Sequence, residues 1–112
     1  MNALVTAVAQ VVELLVGGQW DSLERLTAGR RLGAEQIEAA VRDYGRTLVT
    51  PPRPDFADQL EIIGVVACEV PRFAVLTSLW TREEGRSDLS VELTLTSTGD
   101  GYRIEIDNIR VL

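Results

Sequence analysis

Apolar residues recur with a helical period at the start of the chain. Five of them share one helical face: Leu4, Val8, Val11, Val12 and Leu15. The pattern predicts a helix, and Gly17-Gly18 predicts its end because glycine readily adopts the conformation that terminates helices. Thr6, Gln10 and Glu13 interrupt the apolar run, so we do not expect it to span a membrane.

Two shorter helices are predicted to follow. Asp21, with Glu24 three positions later, resembles a capped helix start, and this helix should end near Gly29. The third helix is predicted after Gly33, with Gln36 placed to bond back to the first turn. Gly45 is expected to end it.

A proline-rich run, TPPRPD at residues 50–55, separates the helical pattern from the rest. Proline cannot continue a helix from within and favours an extended backbone. We therefore predict an extended connector at residues 51–59, between a helical half at 1–50 and a sheet at 60–112.

The second half alternates between apolar and polar positions, as strands do. Four antiparallel strands are predicted at residues 60–69, 72–81, 89–97 and 102–112. The run Thr98-Gly-Asp-Gly101 predicts a tight hairpin turn, and a change of phase in the last strand predicts a β-bulge at Asp107-Asn108.

These elements predict an α+β fold in which three N-terminal helices pack on a curved, four-stranded antiparallel sheet. A chain of 112 residues with 46% hydrophobic residues is sufficient for one domain, residues 1–112.

The residue inventory excludes several chemistries. The chain has no His, and its 11 basic residues are all Arg, which excludes Ser-His-Asp catalysis, Schiff-base lysines and a P-loop lysine. Its single Cys68, in an apolar context typical of a strand, cannot form an intramolecular disulfide. We expect no catalytic residue, no metal and no cofactor.

Negative charge is concentrated in the second half. The net charge is −6, of which −1 belongs to residues 1–50 and −5 to residues 51–112. This balance disfavours nucleic acid and favours a basic protein as partner. No Lys or Arg precedes the first apolar segment, as a secretory signal would require, so we expect a cytoplasmic protein with no membrane partner.

A charged segment lies between the second and third predicted strands and is expected to form a long hairpin loop. It contains Arg82, Glu83, Glu84, Arg86 and Asp88. It is interpreted either as a solvated tip or as a recognition surface for a protein partner. Catalysis by the Glu83 and Glu84 pair is disfavoured because a mobile loop offers no water-excluding pocket.

A second candidate surface is the polar face of the sheet, which is expected to be acidic and, as a partner surface, to favour a basic protein. It carries Glu92, Arg103, Glu105 and Asp107 opposite the apolar rows. Glu92 and Glu105 could be neighbours across strands, but a metal site would need more converging oxygens.

Three large aromatic side chains, Trp20, Tyr44 and Trp80, are candidates for a ligand pocket or a dimer seam. The strand that contains Trp80 is apolar on both faces, so it is expected to be central or to meet another protein.

Two resemblances add to this interpretation. The stretches LLVGGQWDSLERL (14–26) and DGYRI (100–104) resemble patterns of the cone-shaped nuclear-transport-factor-two-like, or SnoaL-like, fold, whose members include isomerases and binding modules. The stretches YGRTLVTPP (44–52), LWTREEGRSDLSVELTL (79–95) and YRIEIDNIRVL (102–112) resemble an uncharacterised family of small bacterial proteins.

Three functions are consistent with these features. The favoured hypothesis is a non-enzymatic, acidic interaction protein, in its narrowest form an immunity protein that neutralises a basic bacterial toxin. The first alternative, implied by the resemblance, is a small-molecule-binding or isomerase-like protein with a pocket between helices and sheet. The second is a homodimeric structural module.

Overall fold

The computed structural model describes residues 3–66 and 69–112, which form four helices and five strands. The helices are α1 (Ala3–Val16), α2 (Trp20–Thr27), α3 (Ala34–Tyr44) and α4 (Arg53–Gln59). The strands are β1 (Leu48–Val49), β2 (Glu61–Gly64), β3 (Arg72–Thr81), β4 (Gly85–Ser97) and β5 (Tyr102–Val111). The α+β class is confirmed, whereas the expected three helices and four strands are each one too few. The expected strand position of Cys68 lies outside the described residues.

Helix α1 forms as its periodicity predicts. Its buried stripe comprises Leu4, Val5, Val8, Val11, Val12 and Leu15, and the chain turns away at Gly18, whose φ of 66° suits glycine. Among the described residues, no helix combines the length and apolar character needed to cross a bilayer.

The start of α2 differs from the prediction. The helix begins at Trp20, Gln19 occupies the cap position without a side-chain bond, and Asp21 lies inside the first turn. The Glu24 carboxylate instead accepts a hydrogen bond from the backbone N–H of Ala34 at 2.9 Å, which ties α2 to the start of α3.

Both ends of α3 follow the sequence-based prediction. The backbone N–H of Gly33 donates to Oε1 of Gln36 at 2.9 Å, and Gly45 ends the helix with φ 75°.

The predicted extended connector is wrong, because most of residues 51–59 form α4. Pro52 is the residue before this helix and Pro54 lies in its first turn. Proline is tolerated there because the first N–H groups of a helix have no partner within the helix. Phe56 then turns inward and is buried.

All strands of the sheet pair antiparallel around the central strand β3. One edge of β3 pairs with β4, which pairs with β5. Its other edge pairs with β1 at Trp80 and Thr81 and with β2 from Phe73 to Leu76. Strand β1 lies within the segment predicted as the helical half, and β2 is shorter than the predicted strand at 60–69.

The side chain of Gln59 fills the gap between β1 and β2 on the edge of β3. Its amide nitrogen donates to the Ser78 carbonyl at 3.4 Å and to Oγ1 of Thr77 at 3.2 Å. Its amide oxygen accepts from Nε1 of Trp80 at 2.9 Å. One side chain therefore binds a backbone carbonyl of β3 where no partner strand is paired, and it also bonds to two β3 side chains.

Two irregularities shape β4 and β5. Glu92 pairs with Asn108 and Leu93 with Ile106, so Asp107 is the extra residue of the predicted bulge. The predicted turn is also present, because Thr98 N–H donates to the Gly101 carbonyl at 2.9 Å and Gly99 has φ 96°.

A second register shift lies between Ser78 and Trp80 of β3. Opposite it, buried Ser87 of β4 donates from Oγ to the Leu79 carbonyl at 2.7 Å and accepts from the Leu89 N–H at 3.2 Å. The hydroxyl thereby replaces backbone bonds that the irregular pairing loses.

The core lies between the helices and one face of the sheet. Its fully buried members include Val8, Leu23 and Ile37 from the helices and Val91, Leu95 and Ile106 from the strands. Beyond the outer edge of β5, Arg31 forms an isolated parallel bridge with Ile106. Arg31 has φ 69°, an uncommon conformation for a residue with a side chain.

Candidate functional site

The charged segment is a tight turn between β3 and β4, contrary to the predicted long loop. Strand β4 already begins at Gly85, which pairs with Thr81 and has φ 75°. Arg86 and Asp88 therefore lie on a strand, and only residues 82–84 form the turn.

The Glu83 carboxylate is directed back toward the chain that follows α3. It accepts hydrogen bonds from the backbone N–H of Thr47 at 2.9 Å and from the Thr47 hydroxyl at 3.0 Å. The Arg82 N–H donates to the Thr47 carbonyl at 2.8 Å. The backbone donor at Thr47 lowers the pKa of Glu83 because it favours the charged form.

The Glu84 carboxylate joins the same turn to the end of α3. The Tyr44 hydroxyl lies 2.9 Å from both Glu84 oxygens, and the Thr81 hydroxyl lies 3.1 Å from Oε1. Partial burial, and then the hydrogen bond to Glu84, raise the pKa of Tyr44 above its usual 10.0.

These bonds limit what the segment presents to solvent. Glu83 and Glu84 hold the hairpin against the α3–β1 corner, and Arg86 Nε donates to the Ser78 hydroxyl at 3.3 Å. Arg82 and Asp88 remain exposed without a side-chain bond in the described part of the chain. The recognition role of the segment stays a prediction, with these exposed charges as its available contacts.

The polar sheet face is balanced in charge. Arg31 Nε lies 3.4 Å from Glu105 and 3.4 Å from Asp107, and Arg110 lies 2.9 Å from Glu92. With Arg103, three arginines face three carboxylates. Exposed ion pairs of this kind contribute little to stability, but they remove the net negative charge expected of this face.

The Asp107 side chain is fixed at the bulge. The Thr94 hydroxyl donates to its Oδ2 at 2.6 Å, whereas Oδ1 is buried and accepts no well-oriented hydrogen bond despite its proximity to Arg31. Glu92 and Glu105 are not directly paired, because Glu92 lies opposite Asn108 and Glu105 opposite Thr94. Residues 3–66 and 69–112 contain no group of three metal-binding side chains.

The three candidate aromatic residues have separate environments. Trp20 lines a hollow of about 280 Å³ together with Asp21, Glu35 and Glu38. Tyr44 contacts the charged turn, and the Trp80 indole N–H is bonded to Gln59. The sequence-based interpretation of Trp20 and Tyr44 as walls of one helix–sheet pocket has no counterpart in these contacts.

Two features were missed by sequence reasoning. The first is an apolar margin along the sheet edge, formed by Ile62, Ile63, Val65, Val66 and Val70. These are five of the seven exposed large apolar side chains in the described residues, and Ile63 and Val66 are 66% and 87% exposed. The density of apolar residues in this stretch is a usable signal, but the sequence-based prediction was limited to a strand at residues 60–69.

The second feature is a groove between α1 and α4, with a volume of about 460 Å³. We call it the α1–α4 groove. It is lined by residues that include Ala9, Gln10, Glu13, Pro51, Arg53 and Phe56. It could not be predicted without α4.

Comparison with known proteins gives one family. Residues 12–112 match a model described as a domain of unknown function, DUF7668. No curated protein and no solved structure matches the chain. The family match agrees with the resemblance of the sequence to an uncharacterised family. Because it covers nearly all of the 112 residues, the chain belongs to the DUF7668 family of domains of unknown function.

Proposed function

We propose that this chain is a non-enzymatic protein-binding module that engages a basic partner through the apolar margin, which comprises β2 and the segment after it. The observation that carries the proposal is the exposure of five large aliphatic side chains along one sheet edge. Exposed apolar side chains grouped in one segment are typical of binding sites, because their exposure to water is unfavourable.

The backbone of β2 supports the same proposal. Strand β2 pairs with β3 on one side, and within the described residues no strand pairs with its other side. Its outward N–H and C=O groups can accept an additional strand, while the side chains provide apolar contacts.

Charge around the margin favours a basic partner. Asp58, Glu61 and Glu69 are exposed and flank the apolar residues in the sequence, and we call them the acidic rim. Arg72, the nearest basic residue along the chain, is bonded to the Thr96 hydroxyl at 3.3 Å. A partner with an apolar strand flanked by Lys or Arg would complement both features and would associate faster at low ionic strength.

Two narrower proposals rest on this one. Neutralisation of a basic bacterial toxin is a specific form of basic-partner binding, supported by the acidic rim and the net charge of −6. A relationship to the cone-shaped, nuclear-transport-factor-two-like fold is supported by the order of helices followed by antiparallel strands. Homodimerisation remains the alternative, for which the apolar margin is a better seam than Trp80, whose N–H is already bonded.

The experiment compares the proteins that the wild type captures with those that an Ile63→Asp variant captures. Captured proteins would be identified, purified and titrated against both forms. We expect to find a basic protein whose Kd is at least tenfold higher for Ile63→Asp than for the wild type. The variant would bury a charge in an apolar contact, and a loss of about 1.4 kcal/mol of binding free energy raises the Kd tenfold.

Two controls make the comparison specific. The double variant Arg82→Ala, Asp88→Ala tests the charged segment, and Arg103→Ala tests the polar sheet face. Both should leave capture unchanged. Equal capture by the wild type and Ile63→Asp would contradict the proposal. Sedimentation that shows a dimer in the wild type and a monomer in Ile63→Asp would establish self-association instead.

A further inference from the structure

The α1–α4 groove combines an apolar floor with a few polar groups at its rim. Buried Pro51 and Phe56 form one wall and the partly exposed Ala9 lies on the other. Its volume of about 460 Å³ lies within the range of small-molecule sites, which are usually apolar with a small number of orienting polar groups.

Three polar side chains that line this groove, those of Gln10, Glu13 and Arg53, are not engaged elsewhere in the described residues. Gln10 and Glu13 are exposed on successive turns of α1, and Arg53 is exposed at the start of α4. Within residues 3–66 and 69–112, none of these side chains makes a hydrogen bond or an ion pair. In particular, Arg53 and Glu13 line the same groove without pairing with each other.

We infer that the α1–α4 groove binds a small amphipathic monocarboxylate, with its apolar body against Phe56 and its carboxylate on Arg53. The planar guanidinium matches a carboxylate through two parallel hydrogen bonds. Glu13 sets the selectivity, because a second carboxylate in the ligand would face its negative charge. Gln10 offers both a donor and an acceptor for a polar substituent.

The net charge of −6 opposes an anionic ligand only weakly at this site. Charges farther away than the Debye length, about 8 Å at physiological ionic strength, are largely screened. Charges close to the groove, which include Arg53, Glu13 and Asp55 in the first turn of α4, therefore have the largest effect on which ligand charge is preferred. The inference is independent of partner binding at the apolar margin, which involves other residues.

Octanoate serves as the probe, titrated below its micellar concentration into isotopically labelled protein and followed by backbone amide NMR shifts. We expect saturable shifts at Ala9, Glu13 and Phe56. Octylamine, with the same apolar chain and the opposite charge, and octanedioate, with a second carboxylate, should bind at least ~10-fold more weakly.

Four variants assign the roles. Arg53→Gln should weaken octanoate by about tenfold or more, whereas Arg42→Gln, at an exposed arginine of α3, should leave the affinity unchanged. Ala9→Phe should abolish binding by filling the groove without a change of charge. Glu13→Gln should admit octanedioate.

Several results would overturn the inference. One is that octanoate does not bind saturably, or that its NMR shifts are confined to residues outside the groove. Another is that octylamine binds as tightly as octanoate, or that the wild type and folded Arg53→Gln bind octanoate with equal affinity. If Ala9→Phe fails to fold, Arg53→Gln and Arg42→Gln still decide the question, because both positions are exposed. If Glu13→Gln still rejects octanedioate, the assigned selectivity is wrong.

Discussion

The Ser87 hydroxyl bonds two backbone groups at the irregular pairing of β3 with β4, and its removal has a calculable cost. In Ser87→Ala, the Leu79 carbonyl loses a donor at 2.7 Å and the Leu89 N–H loses an acceptor at 3.2 Å. Leaving a buried polar group unsatisfied costs about 1–3 kcal/mol. We therefore expect the variant to lose about 2–4 kcal/mol of unfolding free energy, a large part of the ~5–15 kcal/mol typical of small proteins.

Ser90→Ala is the matched control on the same strand. Ser90 is 2% exposed and Ser87 is 5% exposed, so burial alone would predict a larger effect at Ser90. However, the Ser90 hydroxyl lies 3.5 Å from the Asp88 carbonyl, at the limit of a hydrogen bond. Its removal should cost below about 1 kcal/mol.

Urea unfolding of both variants, with a common slope, measures the two free energies. For a slope of roughly 2 kcal/mol per molar urea, Ser87→Ala should lower the midpoint by about 1–2 M. Hydrogen exchange at the Leu89 amide should also accelerate in this variant. Equal losses for the two serines, or a larger loss for Ser90→Ala, would refute the assignment of the effect to these two bonds.

Three further predictions concern pH, glycine and the core. The lowered pKa of Glu83 means that its carboxylate stabilises the fold above the usual value of 4.5, and that this contribution is lost as the pH falls through the lowered pKa. Urea midpoints of the wild type and Glu83→Gln should therefore differ near ~pH 6, and the difference should shrink as the pH falls below the usual value of 4.5; a constant difference would contradict this. Gly64→Ala should be neutral or stabilising by up to about 1 kcal/mol, because its new methyl group meets open space and the backbone φ is ordinary. Gly99→Ala should destabilise the fold by about 1 kcal/mol, because its φ of 96° suits glycine. Thermal unfolding of both variants can test this. Ile106→Ala, at a fully buried position, should lower the free energy of unfolding by about 2–5 kcal/mol. Ile63→Ala, at a 66% exposed position, should change it by less than ~0.5 kcal/mol. Similar denaturation midpoints for the two variants would show that the apolar margin is packed in solution.

Features determined by neighbouring residues could be predicted from the sequence. The bounds of β3, the Thr98–Gly101 turn and the ending of α3 at Gly45 follow from alternation and from glycine conformation. The bulge at Asp107 was also predicted, because a change of apolar phase within a strand has few other solutions.

Features that depend on distant partners could not be predicted. Glu83 binds Thr47, which is 36 positions away, and Arg31 binds Glu105, which is 74 positions away. The charged segment therefore looked like a free loop, and the polar sheet face looked acidic. Helix α4 was missed because prolines were interpreted as helix breakers, although the first helical turn accepts them. The α1–α4 groove was not predicted either, because α4 forms one of its walls.

The backbone bridge between Arg31 and Ile106 makes the two edges of the sheet unequal. One edge, at β5, is obstructed by a residue of the α2–α3 connection, while the other, at β2, is open among the described residues. A sheet with one open edge can join a second copy only edge to edge, which produces a closed pair with no edge left for a third. Removing the obstruction would leave each copy with two adhesive edges, which is the condition for open-ended fibres rather than finite assemblies.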